Sequence, residues 1–281
     1  MLLDDLQIAY RNHKKDSQMY VRNILKEVLQ HHVLDFIGSS VWAQRLIFTG
    51  GTCLRVCFDL PRLSEDLDFD VEHPEQFIVR TFVDDLTKHF RAVLQYSDFS
   101  TKTANNGRTV YVKFPVLKAL GLATQEHESD TLFVRLDFSN TVGRAYHCEL
   151  SMKSVGNFSF LIRRYALSDL FSGKVSAILT RDAMEGKEKK ERFKGRDFFD
   201  LLWFLEKGVL PNWERLEEMT GLEKNVALER LDKKIQTVTP AYLERDLLPF
   251  FADSGFVKQF AGNFHQLFNT YAAVLKGTSP P

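Results

Sequence analysis

Asp66 and Asp68 stand two residues apart in the run Asp66-Leu67-Asp68-Phe69-Asp70-Val71-Glu72, where polar and apolar side chains alternate. Alternation with period two marks a half-buried strand, so Leu67, Phe69 and Val71 turn inward and the carboxylates leave the other face together. Two carboxylates that close repel each other. A hard divalent cation such as Mg²⁺ relieves the repulsion and prefers oxygen ligands, commonly one or two carboxylates together with substrate phosphates. The chemistry such a pair suits is phosphoryl-type transfer, in which metal ions neutralise triphosphate charge and lower the pKa of an attacking hydroxyl. The same pair taken alone also describes a solvated strand face, or an edge strand guarded by charge.

The residues that precede the pair favour the chemical reading. Leu46, Ile47 and Phe48 suit a buried strand, and Gly50-Gly51-Thr52 marks a tight turn into a helix. A strand, a glycine turn and a helix N-terminus place backbone N–H groups where phosphates can be held.

The elements around this centre follow from the apolar pattern. Residues up to about Val33 have apolar positions at helical spacing, including Leu6, Tyr10, Tyr20, Ile24 and Val28. Pro74 suits the first position of a helix that runs through the segment to about Leu94. The segments near Val110 and Val134 read as two further strands. After Ser151 the pattern reads as helical almost throughout, with turns near Gly195, Gly208 to Pro211, Gly221 and Pro240. The charged run from Glu185 to Gly195 reads as a loop between two helices.

The order strand, Gly-Gly, helix and Asp-x-Asp on the next strand resembles the signature of the DNA polymerase beta-like nucleotidyltransferases. Fourteen residues separate Gly51 from Asp66, a long spacing that a loop at Pro61-Arg62 accounts for. The stretch from Gly50 to Asp70 resembles, more narrowly, the first motif of the AbiEii/AbiGii toxin family, GGTxLR followed by R-x-S-x-DLDF. Gly50, Gly51, Thr52, Leu54, Arg55, Arg62, Ser64, Asp66, Leu67, Asp68 and Phe69 match it as they stand. The segment from Ser172 to Leu179 is similar to that family's helical lysine motif, and Arg196-Asp197-Phe198-Phe199-Asp200-Leu201 to its RD-x-x-DL motif.

The resemblance implies roles for particular residues. The superfamily takes a third carboxylate from a neighbouring strand, and Asp137 is the best-placed candidate; an Asp at a strand end that accepts a turn hydrogen bond is the alternative. Lys174 lies in a helix with apolar Val175, Ile178 and Leu179, so its ammonium can project toward the catalytic cleft and bind β- and γ-phosphates, with a solvated surface lysine the alternative when the position is taken alone. Asp197 acquires an active-site role, positioning Lys174 or the metal-bound substrate, whereas Asp200 reads as structural. Arg55 and Arg62 either hold phosphates or pair with the acidic strand. For Arg62 and Ser64, contact with substrate and a structural loop hydrogen bond stand level. The expected catalytic set is Asp66, Asp68, Asp137, Lys174 and Asp197. The expected nucleotide-binding set is Gly50, Gly51, Thr52, Arg55, Ser64 and Lys174, and the metal ligands are Asp66, Asp68 and Asp137.

The histidines add nothing catalytic. His31-His32 reads as the close of a helix, where the dipole favours imidazolium, and His147 beside Cys148 lacks metal-ligand spacing. No Ser-His-Asp arrangement, P-loop or dinucleotide fingerprint is present.

Composition bounds the rest. Lys and Arg total 37, as do Asp and Glu, so no global field draws the chain to nucleic acid or an anionic membrane. RNA contact then requires a local patch, and the densest is the run with Lys187, Lys189, Lys190, Arg192 and Lys194. Cys53, Cys57 and Cys148 are too few and too irregular for a disulfide framework or a zinc set, and Cys53 and Cys57 read as small apolar residues on one helix face. The N-terminus is acidic before it is basic and has no uninterrupted apolar segment, and no later stretch suffices for a membrane span. A cytoplasmic protein is expected.

The sequence thus predicts an α+β protein: a polymerase-beta-like nucleotidyltransferase core with a small mixed sheet over residues 1–160, and a helical C-terminal lobe over 161–281 that carries the Lys174 and Asp197 motifs. The resemblance implies Mg²⁺-dependent transfer of NMP from an NTP to RNA, with a tRNA 3′ end the leading acceptor, blocking translation. It also implies an antitoxin encoded by a neighbouring gene that need not bind the toxin. Nucleotidyl or phosphoryl transfer to a protein hydroxyl, and a nucleotide-binding regulator without turnover, are the alternatives.

Overall fold

A computed structural model of the chain describes residues 2–141, 143–181 and 194–276. Of the basic run singled out above, Lys187, Lys189, Lys190 and Arg192 lie outside the described residues. By contact the chain divides into two compact units, one of residues 1–141 with 149–164 and one of residues 142–148 with 165–281.

The first unit opens with helices α1 (Leu2–His13) and α2 (Gln18–Gly38). Strand β1 (Leu46–Thr49) then turns into α3 (Gly50–Phe58), followed by β2 (Asp66–Val71) and α4 (Val79–Ala92). Strands β3 (Ser100–Ala104), β4 (Thr109–Pro115), β5 (Thr131–Asn140), β6 (Cys148–Val155) and β7 (Phe158–Tyr165) complete a seven-stranded sheet in the order β3-β4-β5-β2-β1-β7-β6. The sheet is mixed. β1 runs antiparallel to β2 and parallel to β7, β2 runs parallel to β5, and β4 runs antiparallel to both β3 and β5.

Alternation explains how this sheet is buried. Val110, Val112, Phe114, Leu132, Val134 and Leu136 are all buried, and their strand neighbours leave the other face. Aromatic rings knit the covering helices to that inner face: Phe82 of α4 lies 5.7 Å from Phe36 of α2 and 5.2 Å from Phe138 of β5, and Phe90 meets Phe114 at 5.9 Å. Each such ring contributes about 1.5–3 kcal/mol on burial.

Three readings of the sequence require correction. The region after Ser151 is not helical from the start, because β6 and β7 run through to Tyr165 around a turn with Gly156 at φ 57°. Pro74 opens a short 3-10 turn over Pro74–Gln76, and α4 begins only at Val79. His31 and His32 do not close α2, which continues to Gly38, so both are buried inside a helix rather than set at its end.

The second unit contains α5 (Leu167–Thr180), α6 (Gly195–Glu206), α7 (Trp213–Thr220), α8 (Lys224–Gln236), α9 (Pro240–Leu247) and α10 (Ser254–Tyr271). Gly221 at φ 68° caps α7, and Pro240 stands at the first turn of α9, where its missing N–H costs nothing. Its core is aromatic: Phe171 stacks on Phe204 at 4.3 Å, and Phe198 and Phe199 of α6 meet Phe264 and Phe260 of α10. No helix among the described residues is long and apolar enough to cross a membrane.

Candidate active site

The acidic strand behaves as its alternation requires. Leu67, Phe69 and Val71 are buried, while Asp66, Asp68 and Asp70 are partly exposed on the opposite face. Register then adds residues that sequence alone could not align. Asp68 pairs with Thr49 across β1 and with Asp137 across β5, and Asp66 pairs with Arg135. Partners in register project from the same side of a sheet, so Asp66, Asp68, Asp137 and Arg135 share one face.

The glycine turn fits against this face. Gly50 has φ 77°, a conformation glycine adopts freely, and a Cβ there would fall 2.8 Å from Cγ of Asp68. Its bare Cα lets α3 begin directly against that carboxylate. A Cβ on Gly51 would lie 2.7 Å from Nη2 of Arg62 and 2.9 Å from Oγ of Ser64. The Thr52 hydroxyl donates to the carbonyl oxygen of Asp66, which ties the helix to the strand. Thr49 places no side-chain cap on α3, so its side chain does not occupy the first amides of the helix.

Two arginines of the motif have structural partners. The Arg55 guanidinium donates to Glu27 of α2, with Nε 2.8 Å from Oε1, and to the Leu60 carbonyl at 3.1 Å. Burial opposes its charge, but the hydrogen bond and charge of Glu27 outweigh that and raise its pKa. Arg62 is buried and donates to the Leu63 carbonyl at 2.8 Å, beneath Gly51.

Asp137 is held by a residue the sequence reading passed over. Arg135, two positions earlier on the same strand face, places Nε 2.8 Å from Oδ2 and Nη2 3.1 Å from Oδ1. The Thr109 hydroxyl adds a bond to Oδ1 at 2.7 Å. Burial works against the Arg135 charge, yet Asp137 and Asp66 outweigh it and raise its pKa. The alternation in Phe133-Val134-Arg135-Leu136-Asp137 was signal enough to find this pair.

A divalent hard cation fits Asp66 and Asp68 as an oxygen-only pair beneath a helix start. Asp137 in its present contacts is satisfied by Arg135 and Thr109, and among the described residues no group of three His, Cys, Asp or Glu side chains is disposed to hold a metal. Two carboxylates completed by substrate phosphates remain an ordinary Mg²⁺ ligand set.

In the second unit, Lys174 of α5 does not project freely. Its Nζ lies 2.7 Å from Oδ2 of Asp200 and 3.2 Å from Oδ1 of Asp197, both on α6. Asp197 also accepts from Arg181, a partner the sequence did not suggest. Positions 197 and 200 are three apart, so one helix face presents both carboxylates.

A mixed sheet with a Gly-Gly turn set against a paired-carboxylate strand is the architecture of a nucleotidyltransferase. Residues 33–272 match the family of the nucleotidyl transferase AbiEii toxin of type IV toxin–antitoxin systems, and the chain belongs to that family. It is accordingly a nucleotidyltransferase toxin; such enzymes act on NTP substrates, usually with a divalent metal. The fold is similar to that of MenT4, a nucleotidyltransferase toxin from Mycobacterium tuberculosis H37Rv, at 17% identity and a TM-score of 0.56, covering 98% of this chain and 93% of that one. JHP933 from Helicobacter pylori is matched at 18% identity and a TM-score of 0.47, over 91% and 94% of the two chains. No curated protein matches the sequence.

Proposed function

We propose that the enzyme transfers a nucleoside monophosphate from an NTP to an RNA acceptor, with a tRNA 3′ end the leading case, and so blocks translation. The observation that carries this reading is the face shared by Asp66, Asp68 and Asp137 with the glycine start of α3 packed against it. The acceptor hydroxyl attacks the α-phosphorus, a P–O bond forms, the α–β bridge breaks, and pyrophosphate leaves with the bridging oxygen. Asp66 and Asp68 hold Mg²⁺, which when bound neutralises phosphate charge. The amides of Gly51 and Thr52 receive phosphate oxygens at the helix start.

Asp137 takes the proton of the attacking hydroxyl, for which Arg135 must give up one of its two contacts. Lys174 is assigned to triphosphate charge, with Asp197 and Asp200 positioning its ammonium. Gly50 and Ser64 shape the loop around the nucleotide, whereas Arg55 supports it through Glu27. The reaction takes place in the cytoplasm, and a neighbouring-gene antitoxin counters it without needing to bind. Purified protein incubated with each NTP, labelled at the α or the γ position, and total RNA tests the reading. Label from the α position on RNA supports it. Label from the γ position, or on protein alone, overturns it.

A further inference from the structure

The sheet face that bears the carboxylates continues beyond them, and register defines what it presents. One row across the sheet reads Ala104, Thr109, Asp137, Asp68; the next reads Lys102, Tyr111, Arg135, Asp66; the third reads Ser100, Lys113, Phe133. Successive rows lie about 7 Å apart along the strands. Moving away from Asp66 and Asp68, the face therefore changes from acidic to basic and aromatic within two rows.

Phe133 is the anomaly on this face. The residue is 39% exposed, a large apolar side chain on the face of the charged residues, while Leu132 and Val134 turn to the buried face. Tyr111 meets it edge-on at 5.6 Å and 72°, and the Lys26 ammonium stands 5.3 Å from its centroid. Lys102 is exposed and Lys113 partly so. Lys26 is engaged by Glu65 and Arg135 by Asp137, so Lys102 and Lys113 supply the charge open to a ligand.

We propose that this face is the platform for the acceptor strand: a single-stranded RNA end stacks bases on Phe133 and Tyr111, lays its phosphates along Lys102 and Lys113, and brings its terminal hydroxyl to the row of Asp137 and Asp68. The inference rests on the reading of the acceptor as RNA and goes beyond it by placing that acceptor. Aromatic rings interleaved with cations are what an unpaired strand requires, because every base offers a π face and every linkage a charge. A duplex keeps its bases stacked on one another and leaves the rings without partners.

The test is direct binding of a short fluorescent single-stranded RNA with a free 3′ hydroxyl across a salt series, beside a blunt duplex of the same length. Tyr111→Ala and Phe133→Ala should each weaken single-strand binding about ten-fold, and Phe133→Tyr should restore it. Lys102→Gln with Lys113→Gln should reduce the slope of log Kd against log salt by about 1.4, since each single-strand phosphate contact contributes about 0.7. The Tyr rescue separates loss of stacking from loss of fold. Equal affinity and slope for wild type and variants, no binding by wild type, or preference for the duplex would each overturn the platform. RNA binding that follows these expectations with no label transferred from any NTP would leave the platform standing and sink the transfer reading.

Discussion

Lys174 and Asp200 form a buried ion pair, with Nζ 2.7 Å from Oδ2 and the Asp200 side chain fully shielded from solvent. Asp197 closes on the same ammonium from 3.2 Å. A cation shared by two shielded carboxylates belongs to the fold of its unit as much as to any ligand.

Lys174→Ala should therefore unfold the second unit more readily, by about 3–5 kcal/mol, because removing one partner leaves buried charge behind. Denaturant unfolding measures this. Asp200→Asn with Lys174→Met removes the pair together and should recover much of the loss, while NTP use stays impaired. Wild-type stability in Lys174→Ala would show that the ammonium contributes nothing to folding.

Asp66→Ala or Asp68→Ala should abolish label transfer and leave the fold intact. Each removes one ligand of a two-carboxylate site, and relief of like-charge repulsion offsets the loss of that carboxylate's own hydrogen bonds. Melting without metal should move by less than about 2 °C, and Mg²⁺ binding by titration calorimetry should vanish. Transfer at the wild-type rate by Asp68→Ala would remove the metal role from that residue.

How much of this site the sequence discloses depends on the range of the forces involved. The acidic strand and the glycine turn are local patterns, legible from Gly50 to Asp70 because alternation and backbone freedom are short-range properties. Register is not local, so the facing of Asp68 by Asp137 and of Asp66 by Arg135 emerges only from the assembled sheet. Arg55 illustrates the same limit, since Glu27, its partner, is 28 residues away on α2. β3 escaped notice because Ser100-Thr101-Lys102-Thr103-Ala104 is an edge strand with no buried residue. In β7, Phe160-Leu161-Ile162 is a short apolar run that periodicity cannot separate from a helix segment.

Gly50→Ala should disable the enzyme through geometry alone. The positive φ costs a non-glycine residue about 1–2 kcal/mol, and the added methyl must displace the Asp68 carboxylate. Transfer should fall with Asp68 chemically intact. A crystal structure of the variant with Asp68 unmoved and activity retained would refute the close fit of α3 against β2.

Stability should fall on mild acidification, and His32 is one cause. Its ring packs edge-on against Phe158 at 4.7 Å, with His31 beside it and Asp5 of α1 3.2 Å from Nε2. Burial lowers its pKa to about 4 despite the attraction of Asp5, and burial lowers that of His31 as well. A histidine whose folded pKa lies below its unfolded value takes up its proton preferentially on unfolding. Its contribution is complete above about pH 6.5 and is lost as pH falls toward about 4, reaching about 2 kcal/mol at pH 5. Denaturant unfolding at pH 7 and pH 5 should show that loss in the wild type and a smaller one in His32→Asn, which keeps a polar group and no titration. Identical pH dependence in the two proteins would show that His32 titrates alike in the folded and unfolded states, and that burial does not hold the ring neutral.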